Sequence, residues 1–158
     1  MSVFSLALAL GALAATKEPL VDFTGTWKLN MKKSRSAPDW RPDTVLVVLQ
    51  SPNQIHFTYF LNQDARVPFE NHDYVTNGKE EKLYTSANEQ TYYSVRWNSR
   101  NVLQVRVHHI VRSEIADTEW NETDIWTLSN DGKTLTNKLS DGKLIVYDRL
   151  DRGKPLQY

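Results

Sequence analysis

From Asp22 onward no stretch of the chain repeats apolar residues with the 3.6-residue period of a helix. Short runs rich in Val, Ile, Thr, Tyr and Trp alternate instead with turn signals. These signals are Ser51-Pro52-Asn53-Gln54, Asn77-Gly78, Asn98-Ser99-Arg100-Asn101, Asp131-Gly132 and Asp141-Gly142, of which the Asn-Gly and Asp-Gly pairs tolerate the positive φ angles of tight hairpins. The runs between them predict strands near 22–30, 44–50, 55–61, 71–76, 79–86, 90–97, 102–112, 117–128, 133–139 and 143–150. Short links make successive strands neighbours, and such a meander either closes on itself or leaves two exposed edges that invite aggregation. The expected fold is all-β: an antiparallel up-and-down (meander) β-barrel of about eight to ten strands, forming a single domain over residues 22–150. Two segments break the rhythm. Residues 31–43 are too long and proline-rich for a hairpin, which makes them a candidate lid, and residues 62–70 read as a surface loop.

The chain has 158 residues, enough for one domain, and its 40% apolar and 24% charged content is that of an ordinary folded protein. Nineteen basic against nineteen acidic residues leave no net field to attract polyanions, so nucleic acid is not an expected partner. With no cysteine, disulfides, thiolate metal sites and thiol nucleophiles are excluded. Val3 to Ala15 is an apolar run too short to span ~30 Å of hydrocarbon. It reads as the core of a signal peptide over residues 1–14, ending on the small-x-small pattern Ala12-Leu13-Ala14, although no Lys or Arg precedes it. The expected location is therefore secreted or periplasmic, and with no second long apolar run, stable membrane insertion is not expected. The oligomeric state is left open.

Gly25-Thr26-Trp27, at the head of the first strand, resembles the Gly-x-Trp signature that opens lipocalin and related calycin barrels. The longer strings Phe23 to Asn30 and Trp126 to Thr136 are similar to small exported bacterial lipocalin-like proteins, and with the meander between them the likeness covers nearly the whole mature chain. The resemblance implies a barrel that holds a small molecule, an open end near the loop after the first strand, and an Arg packed over the signature Trp, for which Arg149 and Arg152 compete. No clear helix lies between the last strands and no disulfide is possible, which departs from secreted lipocalins. Independently of the family, strand alternation puts Phe23, Gly25, Trp27 and Leu29 on the core face, with Trp27 plugging one end.

An enclosed barrel can carry one small ligand against its inward side chains. For the strand 102–112 the inward face is ambiguous. Hydrophobicity selects Leu103, Val105, Val107, His109 and Val111, whereas an even-length loop at Asn98 to Asn101 would pair Trp97 with Val102 and put Arg106 and His108 on the side of Trp97. Aromatic residues on several strands can build an apolar pocket, and Trp40 sits among Lys32, Lys33, Arg35 and Arg41 in the candidate lid. The candidate ligand-binding residues are Trp40, Tyr59, Tyr93, Trp97, Arg106, His108, His109, Trp126 and Tyr147. The expected function is binding of a small apolar or amphipathic molecule, with any acidic group near Arg106 or the lid. One alternative is a barrel enzyme, an isomerase or hydratase using His109 or His108 with Asp124 or Glu122 for proton transfer. Another is an interaction module with a filled core. Adjacent His108 and His109 point to opposite faces, no His-x-His spacing exists, and glycine-rich phosphate or dinucleotide loops and Gly-x-Ser-x-Gly are missing, so no metal and no cofactor are expected.

Overall fold

The computed structural model describes residues 19–35 and 41–150. The expected signal peptide, Trp40 and Arg152 lie outside the described residues. Ten strands follow in order: β1 (Gly25–Leu29), β2 (Val45–Ser51), β3 (Gln54–Phe60), β4 (Glu70–Val75), β5 (Glu80–Thr85), β6 (Glu89–Ser99), β7 (Val102–Val111), β8 (Thr118–Leu128), β9 (Thr134–Lys138) and β10 (Leu144–Arg149). Each coincides with an expected strand to within three residues at either end, and no helix occurs among the described residues. All ten belong to one antiparallel sheet in which sequence neighbours pair, and β1 also pairs with β10. This closing ladder makes the meander a barrel with a single seam, between β4 and β5, where no ladder forms. Side chains bridge the seam: the rings of Tyr74 on β4 and Tyr93 on β6 meet edge to face at 5.1 Å.

Turn chemistry accounts for the tight links. Gly132 adopts φ +68°, a conformation that costs an L side chain roughly 1–2 kcal/mol, while the preceding Asp131 accepts a hydrogen bond from the Lys133 N–H at 3.0 Å. Inside the barrel one continuous core includes Phe23, Trp27, Leu46, Val48, Ile55, Phe57, Val95, Leu103, Trp126, Leu128 and Tyr147. The Gly-x-Trp signature has a packing reason. Trp27 is fully buried, its indole N–H donates to the Phe23 carbonyl at 3.2 Å, and the Arg149 guanidinium lies 4.5 Å from the ring centre. Gly25 lies beside this pair, and a Cβ there would stand in ordinary van der Waals contact, 3.4 Å from the indole nitrogen and 3.5 Å from the Arg149 Cζ. Arg149 is thus the partner implied by the resemblance.

The ambiguity at β7 is resolved by a β-bulge. Ser99 pairs with Val102, but Trp97 pairs with Leu103, and Asn98 is the extra residue between them. An extra residue on one strand shifts the register by one, so Trp97 and the hydrophobic set Leu103, Val105, Val107 and His109 share the inner face. Arg106 and His108, expected as inward candidates from loop length alone, therefore point outward. Arg106 is exposed and donates through Nε to Asn121 Oδ1 at 3.0 Å. The His108 ring sits between Glu80 on β5 and Glu119 on β8, at 3.1 and 2.8 Å.

The candidate lid begins as a strap. The Asn30 N–H donates to the Val146 carbonyl at 2.7 Å, the Arg35 N–H to the Leu144 carbonyl at 2.8 Å, and the Lys33 ammonium pairs with Asp148 at 2.8 Å. These residues run along β10, and Lys33 engages an acid of the barrel's own strand.

Candidate functional site

The strands are two-faced, and the inward positions of β3, β4, β7, β8 and β9 do not fill the barrel. They leave a cavity of about 230 Å³, lined by Phe57, Tyr59, Glu70, His72, Tyr74, Val105, Val107, Asp124, Trp126, Asn137 and Leu139. At ~30 Å³ per water molecule in the liquid, this is room for about eight waters. The register explains who meets whom. Tyr59 stands opposite Glu70, Phe57 opposite His72 and Ile55 opposite Tyr74 along β3 and β4. Trp126 stands opposite Leu103 on one side and Asn137 on the other.

One wall is aromatic. Phe57 and Trp126 pack at 4.6 Å between ring centres, and Trp126 stacks on the fully buried Tyr147 at 6.2 Å. His72 stacks on Tyr74 at 5.7 Å and meets Tyr59 edge-on at 5.9 Å. Burial pushes the hydroxyls of Tyr59 and Tyr74 well above the ordinary phenol range, so both stay neutral O–H groups.

Two carboxyls complete the lining. Glu70 bonds to His72 Nε2 at 2.8 Å, and that hydrogen bond, reinforced by the imidazole charge, holds its carboxyl below the usual range despite the cost of burial. Asp124 behaves oppositely. Burial raises its carboxyl above the usual range, with Glu122 and Asp141 adding to the effect, while hydrogen bonds from the Ser140 N–H and the Asn137 side chain oppose it. The Ser140 bond measures 3.3 Å.

Tyr59 and Trp126, both expected candidates, line the cavity. Tyr93 and Tyr147 are buried in the core beside it, and Trp97 packs edge to face on Phe23 at 5.1 Å. His109 faces inward as hydrophobicity suggested. It stacks on Trp120 at 4.6 Å, with Nε2 4.0 Å from Glu122 Oε1. The proton-transfer pair of His109 with Asp124 does not assemble, since no hydrogen bond joins them among the described residues, and the combination of His108 with Asp124 fails because His108 is outside. Among the described residues no group of three His or acidic side chains is arranged to hold a metal ion.

Glu70, Tyr74 and Asn137 escaped the sequence reading. In β4, Glu70, His72 and Tyr74 face in while Val75 faces the other way, which inverts the usual rule of apolar residues inside. The shared face of Leu135 and Asn137 on β9 was a usable signal, since Leu135 is fully buried and Asn137 nearly so.

No protein-family model and no curated protein sequence matches this chain. Solved structures do. A mutant of the fluorescent protein UnaG superposes with a TM-score of 0.50 at 15% identity, covering 82% of this chain and 97% of that one. A REP1-NXSQ fatty acid transporter gives 0.49 at 11% identity over 82% and 96%. A Schistosoma mansoni fatty acid binding protein in complex with arachidonic acid gives 0.45 at 16% identity over 82% and 96%. At such identities the likeness is one of fold alone, an all-β, up-and-down barrel.

Proposed function

We propose that the protein is a small-molecule carrier or receptor that takes an apolar or amphipathic ligand into the barrel. The observation that supports this reading is the cavity of about 230 Å³, whose lining combines an aromatic wall with a few convergent polar groups, the usual make-up of a ligand site. A filled-core module predicts a larger recess outside the barrel, and one of about 380 Å³ lies there, lined by Lys28, Met31, Pro42, Asp148 and Leu150; it has no aromatic wall, and the inner cavity is the space that carries the binding reading. An acidic ligand group does not meet Arg106, which lies outside, and no Lys or Arg lines the cavity; the other expected partner, the lid, includes residues 36–40, which lie outside the described residues.

The test is an NMR titration of the full chain with 2-phenylethanol, a neutral amphipathic probe. Amide shifts concentrated at Val105, Val107 and Asn137 are expected, and they should vanish in Val107→Trp or Leu139→Trp, each of which fills the lumen. Undiminished binding in both folded variants would place the site elsewhere and refute the reading.

A further inference from the structure

The lumen holds neutral donors in the Tyr59 and Tyr74 hydroxyls, and no Lys or Arg lines it. Two carboxylates line it, and His72, the one imidazole there, already faces Glu70 at 2.8 Å. Asp124 has no ion pair among the described residues; it accepts only from the Ser140 N–H at 3.3 Å and the Asn137 side chain. Asn137 is 4% exposed. Its side chain hydrogen-bonds to Asp124, and its Oδ1 is closed off from the solvent-accessible space. A half-buried carboxylate without a counter-charge is unfavourable. A cation carrying several N–H bonds relieves it. The same space is lined by the aromatic rings of Phe57, Tyr59, Tyr74 and Trp126, and an aromatic ring attracts a cation placed within about 6 Å of its centre.

We propose that the lumen selects a small protonated amine, its ammonium donating to Asp124 and its apolar part resting on Phe57 and Trp126. This assignment rests on the cavity being a binding site. A carboxylate or phosphate head group would face Glu70 and Asp124 as like charges. An alcohol supplies one donor and no charge. Burial holds the Asp124 carboxyl above its usual range, and an incoming ammonium offsets that penalty by favouring the ionised form.

Calorimetric titration of the full chain with three probes of similar size tests the assignment: 2-phenylethylamine, 2-phenylethanol and 3-phenylpropanoate. The amine should bind at least about tenfold more tightly than the alcohol, which corresponds to about 1.4 kcal/mol, and the carboxylate more weakly than either. Asp124→Asn should erase the preference for the amine while the alcohol keeps its affinity, and that retained affinity reports the fold in the same sample. If the variant does not fold, the ranking of the three probes on the unmodified chain decides alone. Alcohol or carboxylate binding as tightly as the amine overturns the amine assignment and leaves the binding reading standing. Failure of all three at millimolar concentration overturns both.

Discussion

The bulge at Asn98 makes a prediction about deletions that loop length alone would reverse. Removing Asn98 joins Trp97 to Ser99, and the existing pairs Ser99 with Val102 and Trp97 with Leu103 then continue as a regular ladder. The inner face of β7 is unchanged. The loss is an exposed hydrogen bond, from the Asn98 amide to Gln104 Oε1 at 3.0 Å, of the order of 0.5–1.5 kcal/mol. Removing Gln104 on the opposite strand has a different consequence. It reverses every following position of β7, turning Val105 and Val107 out and Arg106 in. Val105 is 4% exposed and Val107 packs against the core, so at ~1.5–3 kcal/mol per buried aliphatic side chain the reversal costs about 3–6 kcal/mol before the buried guanidinium is counted. For a chain of this size roughly 2–4 °C accompany each kcal/mol, which puts the expected fall in Tm at about 6–24 °C. Urea and thermal unfolding followed by tryptophan fluorescence measure both variants. Equal losses, or a larger loss from deleting Asn98, would refute the bulge as the device that sets which face points in.

Two further outcomes follow from buried polar groups. Burial raises the folded-state pKa of Asp124 above its ordinary value of 3.8, so its contribution to stability is greatest below that value and declines as pH climbs to the raised folded-state value. Asp124→Asn, which cannot ionise, should lack this decline, and urea midpoints on both sides of the window check it; parallel pH profiles for the two proteins would contradict the shift. Arg149→Met should cost about 1–2 kcal/mol through loss of the cation over the desolvated Trp27 ring, read as a lower urea midpoint at constant slope. An unchanged midpoint would show that the guanidinium only fills space there.

The ten strands were legible because their signals are local: β-branched and aromatic runs, and Asp-Gly or Asn-Gly where Gly78, Gly132 and Gly142 adopt positive φ. The face of β7 was not, because the extra residue at Asn98 looks in sequence like part of an even loop, and only pairing across the ladder reveals it. Of the candidate site, Tyr59 and Trp126 were visible as aromatics on alternating strands. The polar half was hidden because β4 reads Glu-Asn-His-Asp-Tyr-Val, a strand with polar residues on both faces, from which hydrophobicity cannot choose. What makes Glu70 and His72 lumen residues is their pairing opposite Tyr59 and Phe57 on β3. Asp124 was visible as an inward acid, but its relation to Asn137 comes from the β8–β9 register, which composition does not encode.

The way the ring of strands is closed also divides the folding problem unequally. Eight of the nine ladders join consecutive strands, and six of those close through links of eight residues or fewer, the longer links being 30–44 and 61–69. The ninth, β1 with β10, joins opposite ends of the domain, with contacts such as Arg149 to the Thr24 carbonyl spanning 125 positions. Loop-closure entropy rises with the length enclosed, and distant pairings slow two-state folding. The barrier is thus concentrated in one step, and Trp27 and Arg149, which face each other across that ladder, are the side chains best placed to lower it.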